Sequence, residues 1–286
     1  MPTTYWQTSR FAIDLSQPKV MGIVNITPDS FSDGGQFESN VKALRHAESL
    51  LKYGADILDI GGESSRPGAE PLSLEEELSR VLPFVREAVK WQVPLSIDTY
   101  KPQVMRAALD LGADIINDIW AMRQPGAWDV MAQFANCGIC LMHMHRDPHT
   151  MQTEPMQGDV VLSVKDFLTQ QLSMAGQSGV KKERIVLDPG IGFGKTPDQN
   201  LAILKHQAEF LQLGQPLLAG WSRKSTLGKM VAIRGEEPLA SDRLGASLSA
   251  ALLAVQNGAS IVRVHDVKET VQALKIWQAV QCKTPG

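Results

Sequence analysis

From residue 19 onward the chain alternates short apolar runs with longer segments whose apolar positions recur every three to four residues. That is the pattern of strands buried on both faces interleaved with amphipathic helices. The short runs, residues 19–27, 55–63, 94–99, 115–119, 139–143, 185–189, 216–224 and 260–266, predict eight strands. Each ends in polar residues: Asn25, Asp59, Asp98, Asn117, His143, Asp188, Lys224, and Arg263 with His265.

Punctuation between the runs agrees with this reading. Ser73 and Glu76 have the spacing of a capping box, and Pro102 stands at the start of a helix that Gly112 ends. Pro83, inside a helical pattern, predicts a kink or a shortened helix, because its ring removes a backbone donor and crowds the preceding turn. Gly54-Ala-Asp-Ile, Gly112-Ala-Asp-Ile and Gly258-Ala-Ser-Ile form a weak repeat, each placing a helix-ending glycine just before a strand.

Eight strand–helix units without a break in composition predict an α/β fold, a closed (β/α)8 TIM barrel, over an open doubly wound sheet of fewer strands. The 286 residues are read as one domain, with 1–18 an N-terminal extension forming a short hairpin over the barrel's N-terminal end and 19–286 the barrel. With a net charge of −3 and no long run of like charge, the chain has no general attraction for nucleic acid or acidic membranes. The first residues lack the apolar core of a signal peptide and no run approaches a membrane span, so the expected location is the cytoplasm. Three cysteines, Cys137, Cys140 and Cys282, are an odd count that argues against a disulfide framework. The Cys137-x-x-Cys140 pair lies in an apolar run, read as buried small hydrophobes ahead of a metal or redox pair.

In a barrel, residues at the C-terminal ends of the strands share one mouth. Asn25, Asp59, Asp98, Asn117, Asp188, Lys224, Arg263 and His265 therefore converge, although any one Asp or Asn after a strand is equally a helix N-cap. So many buried polar groups are costly unless they bond one another or a ligand. Two chemistries separate. Asn25, Arg66, Arg263 and His265 suit a phosphate or pyrophosphate. Asp98, Asn117, Asp188 and Lys224 mix acceptors with donors and suit the edge of an amino-pyrimidinone. Two Gly-rich connections, 27–35 and 61–71, have the length of lids. Phe31 in the first, and Phe193 in the sixth connection, either stack on an aromatic substrate or belong to clusters under their loops. The run from Gly190 to Thr196 resembles a phosphate-binding P-loop but is one residue short, and His143 with His145 lacks a third nearby zinc ligand.

Taken in order, TPDSFSDGG (27–35), ILDIGGESSRPG (57–68), IDTYKP (97–102), NDI (117–119), LDPGIGFGK (187–195), SRKS (222–225) and RVHDV (263–267) resemble the dihydropteroate synthases, a sulfonamide-targeted family. The resemblance implies a transferase of folate synthesis that joins 4-aminobenzoate to 6-hydroxymethyl-7,8-dihydropterin diphosphate, using Mg2+ and working as a homodimer. It implies a pterin pocket of Asp98, Asn117, Asp188, Lys224 and Arg263, and a diphosphate pocket of Asn25, Arg66, Arg263 and His265, with Asn25 beside the metal. It assigns Phe31, Ser65, Pro67, Phe193 and Ser225 to 4-aminobenzoate, and catalysis to Asp98, Lys224, Arg263 and His265. Ser65 departs from the family, many members having Thr; the hydroxyl remains and a methyl is lost. A methyltetrahydrofolate-dependent methyltransferase of a related barrel would share Asp98, Asn117 and Asp188 without needing Arg66, Arg263 and His265. A non-catalytic pterin-binding homologue would be expected to lack part of the lid or anion set.

Overall fold

A computed structural model describes residues 4–26, 35–64, 70–147, 151 and 154–281, with side chains in the first helix from residue 39. The chain begins with an antiparallel hairpin, β1 (Tyr5–Gln7) and β2 (Ala12–Asp14). Eight parallel strands follow: β3 (Lys19–Asn25), β4 (Ile57–Gly61), β5 (Leu95–Asp98), β6 (Ile115–Asp118), β7 (Gly138–Met142), β8 (Ile185–Asp188), β9 (Leu217–Ala219) and β10 (Ala259–Val264). They close into a barrel in sequence order, β10 pairing β3. Around them run α1 (Gly35–Lys52), α2 (Leu74–Ala88), α3 (Pro102–Asp110), α4 (Ala127–Gln133), α5 (Val160–Gln177), α6 (Pro197–Lys205), α7 (Ser225–Met230), α8 (Leu244–Gln256) and α9 (Val267–Gln281).

The period-two geometry of strands explains how the sequence builds both core and mouth. Met21, Ile57, Ile115, Cys140, Val186, Leu218 and Ile261 point inward and form one apolar layer with Trp6, Ile13 and Leu15 of the hairpin region. Their sequence neighbours, such as Val20, Leu58, Ile116, Ile139 and Val262, face outward and pack under the helices. Two residues farther along the same inward phase lie Ile23, Asp59, Asn117, Met142, Asp188, Gly220 and Arg263. The apolar floor thus carries a polar layer directly above it. The expected hairpin does cover the N-terminal end: Trp6 is fully buried and its indole Nε1 donates to the Arg184 carbonyl at 2.8 Å. Arg10 grips Asp114 through two bonds of 3.0 and 2.6 Å, and Asp114 also accepts from the Leu95 amide, which ties the hairpin to β5.

Gly54, Gly112 and Gly258 have φ near +99°, +100° and +95°, so the repeated helix-to-strand junction rests on a backbone shape only glycine takes without strain. The capping box at Ser73 and Glu76 is present, as is Pro102 at the first turn of α3. Pro83 corrects the expectation of a shortened helix, since α2 continues through it to Ala88. Pro83 is exposed, so its ring lies on the outer side of the helix, while Val81, Phe84, Val85 and Ala88 anchor the helix by burial. The strand expected over 216–224 ends at Ala219; residues 220–224 form a turn in which Arg223 takes φ 60°. Cys137 and Cys140 are both buried, in different clusters. Among the described residues no helix is long and apolar enough to cross a membrane.

Candidate active site

Arg263, at the upper end of β10, reaches across the mouth to two buried carboxylates. Its Nε donates to Asp59 Oδ2 at 2.6 Å and its terminal Nη2 to Asp98 Oδ2 at 2.7 Å, while Asn117 Nδ2 donates to the same Asp59 oxygen at 3.2 Å. Desolvating three charges to make this bridge is expensive, and apolar packing would serve stability as well, so the arrangement points to function. Burial works against the Arg263 charge, but Asp59 and Asp98 outweigh it and hold the guanidinium above its ordinary value. Burial pushes Asp98 up to about 7, against the pull of Arg263 and with the help of neighbouring Asp59. The second oxygen of Asp59, Oδ1, is buried without a hydrogen-bond partner.

Asp188, at the end of β8, is turned by its own loop: the Gly190 amide donates to Oδ1 at 2.7 Å. Burial raises its pKa, partly offset by that bond and by Lys224. The glycines of this loop, which gave it the look of a P-loop, let the backbone pack closely. A Cβ on Gly190 would stand 1.8 Å from the His143 carbonyl oxygen, at φ +72°. The lysine that would meet a phosphate in a P-loop points inward instead. Lys195 Nζ donates to the carbonyls of Gly190 at 2.7 Å and Phe193 at 3.1 Å, with burial bringing its pKa down to about 7. Asn200 of α6 completes the loop, accepting from the Gly192 amide and donating to Thr226 Oγ1 in α7. His143 is buried edge-on to Phe167, ring centroids 4.9 Å apart, and lines neither cavity of the mouth.

Two cavities meet above the polar layer. The inner one is lined by Asp98, Asn117, Asp188, Lys224 and Arg263, with apolar walls from Ile119, Met142, Ile191 and Phe193. The outer one, about 470 Å³, is lined by Asn25, Ser64, Ser222, Arg223, Ser225, Arg243 and His265. That volume is in the range of small-molecule sites. Phe193, Gly220, Lys224 and Arg263 border both. Lys224 is the N-cap of α7, and its ammonium lies 4.3 Å from the centre of the Phe193 ring. Burial and the nearby Arg263 bring its pKa down to about 8, against the pull of Asp188 and Asp98.

The turns after β9 and β10 are tied together. Arg223 makes two bonds to Asp266, at 3.1 and 2.5 Å, and Ser222 Oγ lies 3.0 Å from His265 Nδ1 while accepting from the His265 amide at 3.1 Å. The sequence-predicted residues Asp98, Asn117, Asp188, Lys224 and Arg263 thus gather at the inner cavity, and Asn25, Ser225 and His265 at the outer. Phe193 stands on their common wall, while Phe31, Ser65, Arg66 and Pro67 lie outside the described residues. Sequence reasoning placed Asp59 at the mouth without seeing it as the partner of Arg263, and missed Ser222, Lys195 and Asn200. For Asp59 a strand-end position was the available signal; the other three act through contacts that spacing does not reveal.

Residues 21–265 match the pterin binding enzyme family. The dihydropteroate synthase of Neisseria meningitidis serogroup B is 50% identical over 280 residues, covering 96% of this chain and 97% of that protein. The solved structure of Xanthomonas albilineans dihydropteroate synthase with 4-aminobenzoic acid superposes with a TM-score of 0.91 at 45% identity, covering 99% of this chain and all of that one. That of Burkholderia cenocepacia dihydropteroate synthase complexed with 7,8-dihydropteroate gives 0.88 at 48% identity, covering 98% of each chain. Identity of this order along almost the whole length, on the same closed barrel, means that the chain belongs to the dihydropteroate synthases of the pterin-binding enzyme family.

Proposed function

We propose that the inner cavity holds the dihydropterin ring, the outer cavity its diphosphate and 4-aminobenzoate, and that the products are 7,8-dihydropteroate and pyrophosphate. The observation that carries this reading is the shared wall of Lys224, Phe193, Gly220 and Arg263, which joins an acceptor-rich pocket to a cationic one. Asp98, Asn117 and Asp188 offer the hydrogen-bonding groups an amino-pyrimidinone edge requires, with Lys224 as the donor for its acceptor side and Arg263 near the ring face. Arg263 and His265, with Asn25 and Arg66, take the diphosphate; Phe193 and Ser225, with Phe31, Ser65 and Pro67, take the aminobenzoate.

In the reaction the bond from the pterin methylene carbon to the diphosphate oxygen breaks, both electrons leaving with pyrophosphate. The ring system delocalises the resulting cation, the amine lone pair of 4-aminobenzoate closes the new C–N bond, and the amine then loses a proton. No protein nucleophile is needed. Arg263 and His265 stabilise the departing anion, while Asp98 and Asp188 offset positive charge growing on the pterin. Holding two reactants in adjoining cavities supplies part of the roughly 7–11 kcal/mol available from orientation.

Among the described residues no three His, Cys, Asp or Glu side chains are grouped to hold a metal. Asn25 offers one side-chain oxygen at the outer cavity, a donor set that fits Mg2+ arriving with the diphosphate, since Mg2+ keeps several waters and binds through few protein oxygens plus phosphate. When bound it neutralises charge on the leaving group.

The homodimer reading is supported by largely exposed apolar side chains on and around α7 to α9: Met230, Val231, Ile233, Leu239, Leu253, Ile276 and Val280. Sedimentation at micromolar concentration is expected to give twice the chain mass. We also read 1–286 as one domain working in the cytoplasm, consistent with two unpaired, buried cysteines.

The direct test is pyrophosphate release from purified protein given dihydropterin diphosphate, Mg2+ and 4-aminobenzoate, each omitted in turn; release coupled to dihydropteroate is expected. Pterin binding without turnover would favour the non-catalytic reading. Lys224→Ala and Asp188→Ala are each expected to abolish measurable pterin binding by calorimetry while the circular dichroism spectrum is unchanged. Unaltered affinity in both would remove the pterin assignment. With the Lys224 pKa near 8, wild-type pterin affinity falls as pH rises through that value and the ammonium loses its proton. Lys224→Arg, which stays charged, lacks this alkaline limb.

A further inference from the structure

Ser222 contacts His265 twice, and the two contacts together constrain where the protons lie. The His265 amide can only donate, so Ser222 Oγ accepts it, at 3.1 Å. Ser222 is buried, and among the described residues its hydroxyl proton has one acceptor within hydrogen-bond distance, His265 Nδ1 at 3.0 Å. A hydroxyl that donates to Nδ1 leaves that nitrogen without a proton and moves the proton of the neutral ring to Nε2. Ser222 is itself held in place, because the next residue, Arg223, has its amide bonded to Ser247 Oγ and its guanidinium bonded to Asp266, directly after His265.

We infer that Ser222 is a positioning residue that fixes the His265 ring as its Nε2–H tautomer, so that the neutral imidazole presents a donor to the anionic oxygens of the diphosphate. The opposite tautomer would turn a lone pair toward an anion. This inference rests on the diphosphate assignment of the outer cavity, but its first test does not.

In protein labelled with 15N at histidine, long-range nitrogen–proton correlation spectra, assigned by loss of the signal in His265→Gln, should show neutral His265 protonated at Nε2. Ser222→Ala should shift the ring toward a mixture of tautomers, and Ser222→Thr, which keeps the hydroxyl, should restore the wild-type pattern. A wild-type ring protonated at Nδ1, or an unchanged tautomer in Ser222→Ala, overturns the inference whatever the substrate. Kinetics form the second arm. Ser222→Ala should raise KM for the dihydropterin diphosphate about tenfold with a smaller change for 4-aminobenzoate, the scale of one lost hydrogen bond to a charged group, and Thr should recover it. If the tautomer shifts as stated but pyrophosphate affinity is untouched, the ring geometry stands and the diphosphate assignment of His265 fails.

Discussion

Arg263→Ala is expected to lower kcat/KM by about a thousandfold or more and to destabilise the fold by about 3–5 kcal/mol, the cost of removing one partner from a buried ion pair. The side chain is the sole cation bonded to both Asp59 and Asp98 among the described residues, and both carboxylates are buried. Without it Asp98 loses the charge that opposes its burial. Asp98 already lies near 7 with Arg263 pulling it down, so its folded value rises further in the variant, above that of the unfolded chain. A carboxyl whose folded pKa is raised contributes stability that is complete below its unfolded pKa and is lost as pH rises through the folded value. The deficit relative to wild type is therefore larger at pH 8 than at pH 5. Urea unfolding at both pH values, beside steady-state kinetics, measures this; equal deficits would show that the bridge contributes packing rather than charge. Arg263→Lys retains charge but cannot span both carboxylates with a planar fork, and should recover stability more than turnover.

Gly190→Ala is the second large effect, more than about 3 kcal/mol of stability together with most of the pterin affinity. An ordinary left-handed residue costs about 1–2 kcal/mol. Here the added Cβ also meets the His143 carbonyl oxygen at 1.8 Å, a backbone atom that cannot move without shifting β7 and the loop after it. The same amide orients Asp188, so relief of the clash moves the carboxylate that faces the inner cavity. Gly214 provides the control: its φ is +76°, yet a Cβ there meets nothing within 4 Å. Gly214→Ala should cost only the conformational term and leave pterin binding intact. Similar losses in the two variants, by denaturation and calorimetry, would mean that backbone angle alone decides the outcome.

The difference between these glycines shows where reading the sequence stops. The strands were legible because a parallel sheet covered by helices demands apolar runs, and the mouth because each run ends in a polar residue. The junction glycines at 54, 112 and 258 were legible because a helix leading straight into a strand needs a left-handed residue. Pro83 misled because its cost depends on which side of α2 it faces, a property of packing. The partners of Arg263 were out of reach for another reason: Asp59 and Asp98 are 204 and 165 residues away, and only barrel closure decides which carboxylates it meets. The P-loop resemblance around Lys195 fell on spacing alone, and the inward direction of its side chain was not legible, because side-chain chemistry is visible in a sequence while side-chain direction is not; three loop carbonyls claim it.

The hairpin at the barrel floor bears on how the chain assembles. Trp6 precedes every barrel strand in the chain, yet its neighbours in the floor extend from Met21 to Ile261, and its indole bond is to a carbonyl 178 residues away. Its binding place does not exist until the final strand has been made and the ring has shut. Contacts this distant form slowly, because the entropy of closing the chain is lost before packing returns it. The N-terminal segment is a stopper whose full set of contacts exists only in a finished vessel. Until it seats, the apolar floor of an otherwise complete barrel stays open to water and to other chains.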